Sequence, residues 1–355
     1  MVLVALLAAL QAQATPLSVP EPEAALPLAP APAPLNVVQW LNRLHNATRS
    51  QSYVGTLVVL SSSGAMSSSR IWHACAGEQQ IDRIEALTGT PRITYRLDSE
   101  VRTFWPQTHT VRQEPPAVAG AFAHWPAVDG SAVANFYTAV PAGSERVAGL
   151  VADVVWFKPQ DQLRFGYRIW SERRSGLVIK MQTLHPDGRV LEQVGFSELD
   201  LGASVQPRQL LQMMQDTKGY RLVRVPVQAT TQAEQGWRLR QPVAGFVSTQ
   251  CYMHAEAANA EAVPAQSESV GTVAAAESGS TVQCIYSDGL ATVSLFIDPA
   301  GTARRPLHPR ASGQWSMGAT HLLAQPVGAH GWVTAVGEVP PRTLALFVRN
   351  LERVR

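Results

Sequence analysis

The sequence predicts an α+β protein of two domains, each an antiparallel sheet packed with a helix. Three observations carry this. The segment FGYRIWSERRSGLVIKMQTLHPDGRVLEQVGF at 165–196 alternates large side chains with a period of two, Phe165, Tyr167 and Ile169 against Gly166, Arg168 and Trp170. Gly176 and Gly188 interrupt it where hairpin turns want a residue tolerant of positive φ, so it reads as three consecutive antiparallel strands. A length of 355 residues exceeds one ordinary core. Large apolar residues fall on both faces of the meander, which implies a sheet that curls or is covered on both sides.

The elements follow in order. Residues 1–14, MVLVALLAALQAQA, form an apolar run ending in a small-x-small pattern, a signal-peptide-like segment too short to span a bilayer. Residues 15–35 are Pro- and Ala-rich and read as an extended tether. The first domain is expected over 36–203. Asn36 is a candidate N-cap, and Val37, Trp40, Leu41, Leu44 and Thr48 recur at helical spacing up to about Ser50. Strands are expected at YVGTLVVL, RIWHACA, IDRIEALTG, RITYRL and EVRTFWP. A Pro-rich break, the apolar SAVANFYTAV, ERVAGLVADVVWFKP and the meander complete that domain. QPRQLLQMMQDTKGY, residues 206–220, makes up most of a helical connector placed at 204–219, where Met213 and Met214 suit gap-filling core.

The second domain is expected over 220–355. Two strands, one carrying Cys251 and one Cys284, flank a small, polar insertion at 255–280 read as a long hairpin loop. Ser287, Asp288 and Gly289 make a tight turn into a further strand, GATHLLAQP and GWVTAVGEVP add two more, and a terminal helix starts at Pro340 and Pro341 with Leu344, Phe347, Val348 and Leu351 on its apolar face.

Function is bounded mostly by what is missing. Twenty-nine basic against 27 acidic residues give a net charge of +2, no case for nucleic acid. No nucleophile elbow, phosphate loop, HExxH or dinucleotide fingerprint is present, so no catalytic residue and no cofactor are assigned. His73 with Cys75 and Cys251 with His254 are dispersed pairs that do not supply four zinc ligands, so no metal is expected. Cys251 and Cys284 would be neighbours if their strands pair, and a disulfide between them is predicted. Cys75 is left over and reads as a small buried hydrophobe. Trp72, Trp105, Trp125, Trp156 and Trp170 suit core packing, yet on a curled sheet they also suit an apolar cleft with room for an acyl chain or apolar peptide.

Several stretches together resemble the sigma-E factor regulatory proteins of the RseB/MucB family: SYVGTLVV with SSRIWHA, LTGTPRITYR, the meander through GFSEL, YSDGLATVSLFIDP and GATHLLAQPVG with GWVTAVGEVPPRTLALFV. Their order and spacing cover the chain from about Trp40 to its end. The resemblance implies a first domain similar to the LolA/LolB carriers, an unclosed β-barrel with helices and a lipid-sized cavity, and a smaller C-terminal antiparallel sheet with a terminal helix. It implies a periplasmic negative regulator that binds the periplasmic part of an RseA/MucA-type anti-sigma factor and shields it from site-1 proteolysis until lipid or lipopolysaccharide releases it. It leaves room for a homo-oligomer. The rival reading is a periplasmic lipid or lipoprotein carrier, which the second domain disfavours. The 255–280 insertion departs from the family.

Candidate cavity residues are Leu57, Val59, Ile71, Tyr95, Phe104, Tyr167, Ile169 and Met181, with plain core packing as the competing role. Candidate partner-surface residues are Asp288, Gly289 and an exposed Trp332, although the first two read more readily as turn formers.

Overall fold

The computed structural model describes residues 34–77, 79–97, 100–114, 130–224, 227–254, 281–299, 312–328 and 331–354. The signal-like segment, nearly all of the tether, the Pro-rich break with Trp125, and the 255–280 insertion lie outside the described residues. Among the described residues, twelve strands form the larger sheet: β1 (Tyr53–Ser61), β2 (Met66–Ala76), β3 (Gln79–Ala86), β4 (Ile93–Leu97), β5 (Glu100–Trp105), β6 (Thr110–Glu114), β7 (Tyr137–Val147), β8 (Leu150–Pro159), β9 (Gly166–Glu172), β10 (Val178–Leu184), β11 (Val190–Asp200) and β12 (Arg221–Arg224). Their order is β12-β6-β5-β4-β3-β2-β1-β11-β10-β9-β8-β7. It has two free ends, so the sheet is unclosed. The meander is β9, β10 and β11, with Gly176 and Gly188 at positive φ in its turns.

Helix α1 (Val37–Ser50) begins in a reciprocal cap: Gln39 N–H donates to Asn36 Oδ1 and Asn36 N–H to Gln39 Oε1, each at 2.9 Å. It buries Val37, Trp40, Leu41, Leu44 and Thr48, the stripe predicted from spacing. Short α2 (Gly130–Ala134) adds Val133 to the same cluster. Helix α3 (Pro207–Gln215) covers the opposite face. Successive strand residues point to opposite faces, and His73 on β2 reaches the α1 backbone while Ala74 packs with α3 residues Leu210 and Met214.

Two expectations change here. The Met pair of the 204–219 connector, expected to fill core gaps, divides, Met214 being buried and Met213 exposed. After α3 the chain adds β12 in parallel to the edge strand β6, so residues 221–224, expected in the second domain, extend the first sheet.

The remaining strands are β13 (Val227–Thr230), β14 (Trp237–Leu239), β15 (Val247–His254), β16 (Thr281–Ser287), β17 (Thr292–Pro299), β18 (Gly313–Met317), β19 (Thr320–Pro326), β20 (Gly331–Gly337) and β21 (Leu351–Arg353). Seven of them make a sheet in the order β13-β15-β16-β17-β20-β19-β18, and β14 pairs with β21. Helix α4 (Pro341–Asn350) sets Leu344, Phe347 and Val348 against Val293, Leu295, Val333 and Ala335. Leu351, expected on that helix, opens β21 instead, buried all the same. Cys251 and Cys284 face each other across β15 and β16 and are joined by a 2.06 Å S–S bond.

Candidate binding surfaces

The eight proposed cavity residues divide between the two faces of the large sheet. Cross-strand register places Val59 opposite Val194, Val194 opposite Met181, Met181 opposite Ile169 and Ile169 opposite Val155, a continuous apolar row across five strands. Tyr167, Ile169 and Met181 pack there against Trp40, Leu41 and Leu44 of α1. Leu57, Val59 and Ile71 lie in the adjoining cluster with Ala47 near the end of the helix. Tyr95 and Phe104 do not share this wall: they pack edge to face, centroids 5.5 Å apart, with Leu210 and Met214 of α3 on the reverse face. Six candidates are therefore brought together along one side and two are separated from them. Of the described tryptophans of this domain expected to pack as core, Trp170 is buried, while Trp72, Trp105 and Trp156 are half-buried, Trp72 and Trp156 holding Arg83 and Lys158 over their rings at 4.2 Å.

The partner-surface expectation for Asp288 and Gly289 is corrected by burial. Asp288 is 5% exposed and its carboxylate ties the two sheets together. Arg164, in the β8–β9 connection and fully buried, donates Nε–H to Asp288 Oδ2 at 2.6 Å and Nη2–H to the Ala244 carbonyl at 2.6 Å, and its Nη1 pairs with Asp161. The Tyr137 hydroxyl donates to Asp288 Oδ2 at 3.2 Å, and Oδ1 accepts the Leu290 and Ala291 amides at 2.9 and 2.7 Å. All three guanidinium nitrogens and both carboxylate oxygens have a partner, the kind of extra bonding that makes such a buried pair tolerable. The guanidinium lies over the rings of Phe136 and Phe246, 4.1 and 5.0 Å from their centroids. Gly245 passes so close, at φ +81°, that a Cβ there would collide with Arg164 and Phe136. Gly289 is buried in the turn at φ +99°. Trp332, expected exposed, is half-buried, opposite Asp298 and Pro326.

Exposed apolar surface lies elsewhere. Strand β18 is one edge of the smaller sheet and presents Trp315 (41% exposed) and Met317 (66%). At the β1–β2 hairpin, Leu60 and Met66 sit opposite each other and are both exposed, with exposed Leu87, just past the end of β3, bonded through its amide to the Ser68 carbonyl. The sequence announces neither: GQWSMG has no buried alternation, and Met66 lies inside the Ser-rich SSSGAMSSS at 61–69.

The two patches flank one junction. The β18–β19 turn presses on the large sheet, where a Cβ at Gly318 would lie 2.9 Å from Ser61 Oγ and Glu192 Oε2. Burial, and then the charge of Glu338, push the Glu192 carboxyl up to about 7; burial raises Glu338 as well. Phe165 stands between the rings of His185 and His321 at 6.3 and 5.7 Å. Burial lowers His321 from its ordinary value.

Comparison with known proteins accounts for both sheets. Residues 36–214 match the MucB/RseB N-terminal domain and residues 231–352 the MucB/RseB C-terminal domain. The chain is similar to the sigma factor AlgU regulatory protein MucB of Pseudomonas aeruginosa, 28% identical over 339 residues that cover 90% of this chain and 93% of that protein. It is 20% identical to the sigma-E factor regulatory protein RseB of Escherichia coli K12 over 88% of this chain and 89% of that one. A crystal structure of MucB in complex with MucA(peri) superimposes with a TM-score of 0.63 at 25% identity, covering 90% of this chain and 99% of that chain. With both domain models matched in sequence order across most of its length, the chain belongs to the MucB/RseB family.

Proposed function

We propose that this protein is a sigma-factor regulatory protein that acts in the periplasm by binding the periplasmic part of a MucA- or RseA-type anti-sigma factor. One observation carries the reading: the likeness to MucB solved with MucA(peri) extends over both sheets and 99% of that chain. Binding covers the anti-sigma factor against site-1 proteolysis. A lipid or lipopolysaccharide that binds only the unpartnered form then releases it by linkage, each tenfold of differential affinity being worth about 1.4 kcal/mol. The apolar row beneath α1 supports a lipid-responsive face, and the signal-like residues 1–14 support export. The family is one of regulatory proteins, and no bond need be made or broken for this task.

The test is binding of the purified chain to the periplasmic segment of the anti-sigma factor encoded with it, read by calorimetry and by protection of that segment from the site-1 protease. Stoichiometric binding with protection, reversed by lipopolysaccharide, is expected. Capture of lipoprotein with no anti-sigma binding would instead establish the carrier reading. Tyr167→Asp is expected to abolish lipid-induced release or unfold the large sheet, and a stable variant with normal release removes Tyr167 from the ligand face.

A further inference from the structure

His73, Cys75 and Asp82 form a connected cluster near the end of β2, remote from the junction between the sheets. His73 is 1% exposed, stacked on Tyr53 with ring centroids 4.8 Å apart. Its Nδ1 is 2.6 Å from Asp82 Oδ1, its Nε2 is 2.9 Å from the Thr48 carbonyl, and Cys75 Sγ is 3.3 Å from the same Nε2. A carbonyl oxygen only accepts, and so does a carboxylate. Both ring nitrogens must therefore carry protons, and the ring is a buried imidazolium. Burial opposes that charge, but the Asp82 hydrogen bond and the Cys75 sulfur outweigh it and push His73 up to about 10. Arg96 lies directly across from Asp82 in register and faces the same carboxylate. One carboxylate thus stands between two cations, leaving a positive charge in a buried setting with the sulfur as its neighbour. The donors do not converge on a point: sulfur and carboxylate take opposite nitrogens of one ring, and no metal-binding group is found among the described residues.

We propose that Cys75 is an activated thiol, a modification site for small neutral oxidants of the hydroperoxide class. The arrangement has the logic of a cysteine nucleophile beside an imidazole that a carboxylate orients. Negative charge that develops on sulfur as it attacks is met by the fixed imidazolium. In the reaction with hydrogen peroxide the sulfur lone pair bonds to one peroxide oxygen, the O–O bond breaks, and the departing hydroxide leaves as water with the proton from sulfur. Sulfur is oxidised by two electrons to a sulfenic acid and the peroxide is reduced. Cys75 is half-buried, which admits a small oxidant more readily than another protein. Of the three cysteines, Cys251 and Cys284 are joined to each other, so no second thiol of this chain resolves the product.

The experiment uses the full chain with its disulfide intact. Hydrogen peroxide is added at neutral pH in the presence of dimedone, and intact-mass and peptide mass spectrometry follow the rate of adduct formation at Cys75 in the native and the urea-unfolded chain. The native thiol is expected to react about tenfold or more faster than the unfolded one, and His73→Gln to bring the native rate down to that of the unfolded chain. A native rate equal to or below the unfolded rate overturns the proposal, as does an unchanged rate in folded His73→Gln. Should that variant fail to fold, the native-against-unfolded comparison decides by itself.

Discussion

Arg164 and Asp288 lie in turns of the two different sheets, each with a fully buried side chain, and each nitrogen of the guanidinium and each oxygen of the carboxylate has at least one partner. Removing Arg164 leaves the Asp288 carboxylate in the interior without its cation. Arg164→Ala is expected to cost about 3–5 kcal/mol in urea unfolding, with Asp288→Asn losing less because the turn amides keep an acceptor. Equal, near-zero losses would mean that the two sheets are held without this pair. At the junction, Glu192 supplies a pH dependence whose sign follows from its environment. Its folded pKa of about 7 lies above the ordinary 4.5, so the folded state binds more protons between those values. The stability it contributes is present below about pH 4.5 and is lost as pH rises through about 7. Glu192→Gln is therefore expected to gain in melting temperature over the unmodified chain at pH 8 and to show no such advantage at pH 4.5. His321, lowered by burial, acts in the opposite direction in both proteins, so the difference between them reports Glu192 together with its coupling to Glu338.

Elements differ in how far their sequence announces them. Helix α1 is legible because a cap residue, a 3.6-residue apolar period and a following strand all agree, and Asn36→Ala is expected to cost about 0.5–2 kcal/mol by removing the reciprocal cap. That loss would be read in urea denaturation. The meander is equally legible, since two glycine turns fix its strand lengths. Helix α3 has a clear apolar pattern, but nothing local says what Leu210 and Met214 rest on; the Tyr95–Phe104 pair that receives them is more than a hundred residues earlier in the chain. Strand β18 is the opposite case. It is a short edge strand with one side unpaired, so it has no buried alternation to display. An open edge with an exposed Trp is a natural place for an extended partner segment to add. Trp315→Asp is expected to weaken anti-sigma binding about tenfold or more with the melting temperature unchanged, measured by calorimetry and thermal unfolding; unaltered affinity would exclude this edge from the interface.

In the whole molecule, two sheets are joined by a few long-range contacts: the Arg164–Asp288 pair, the Thr343 hydroxyl donating to the Leu163 carbonyl at 2.8 Å, and the Gly318 turn seated against Ser61 and Glu192. The Cys251–Cys284 bond closes a sequence separation of 33 residues within the smaller sheet, and its reduction is expected to cost about 3–4 kcal/mol on the loop-entropy account. Thermal unfolding with and without reductant measures it, and an unchanged transition would mean that the loop is already restrained. The sequence by itself determined the α+β class, the order of most strands, the capped first helix, the cysteine pairing and the family, because periodicity, turn chemistry and motif order are local or additive along the chain. Only the tertiary structure decided which side each residue serves. It put Tyr95 and Phe104 behind the sheet, buried Asp288 between sheets, exposed Trp315, and set Cys75 beside an imidazolium. A strand's two faces look alike in sequence until distant elements cover them, and a charge declares its role only when its partner arrives from another part of the chain.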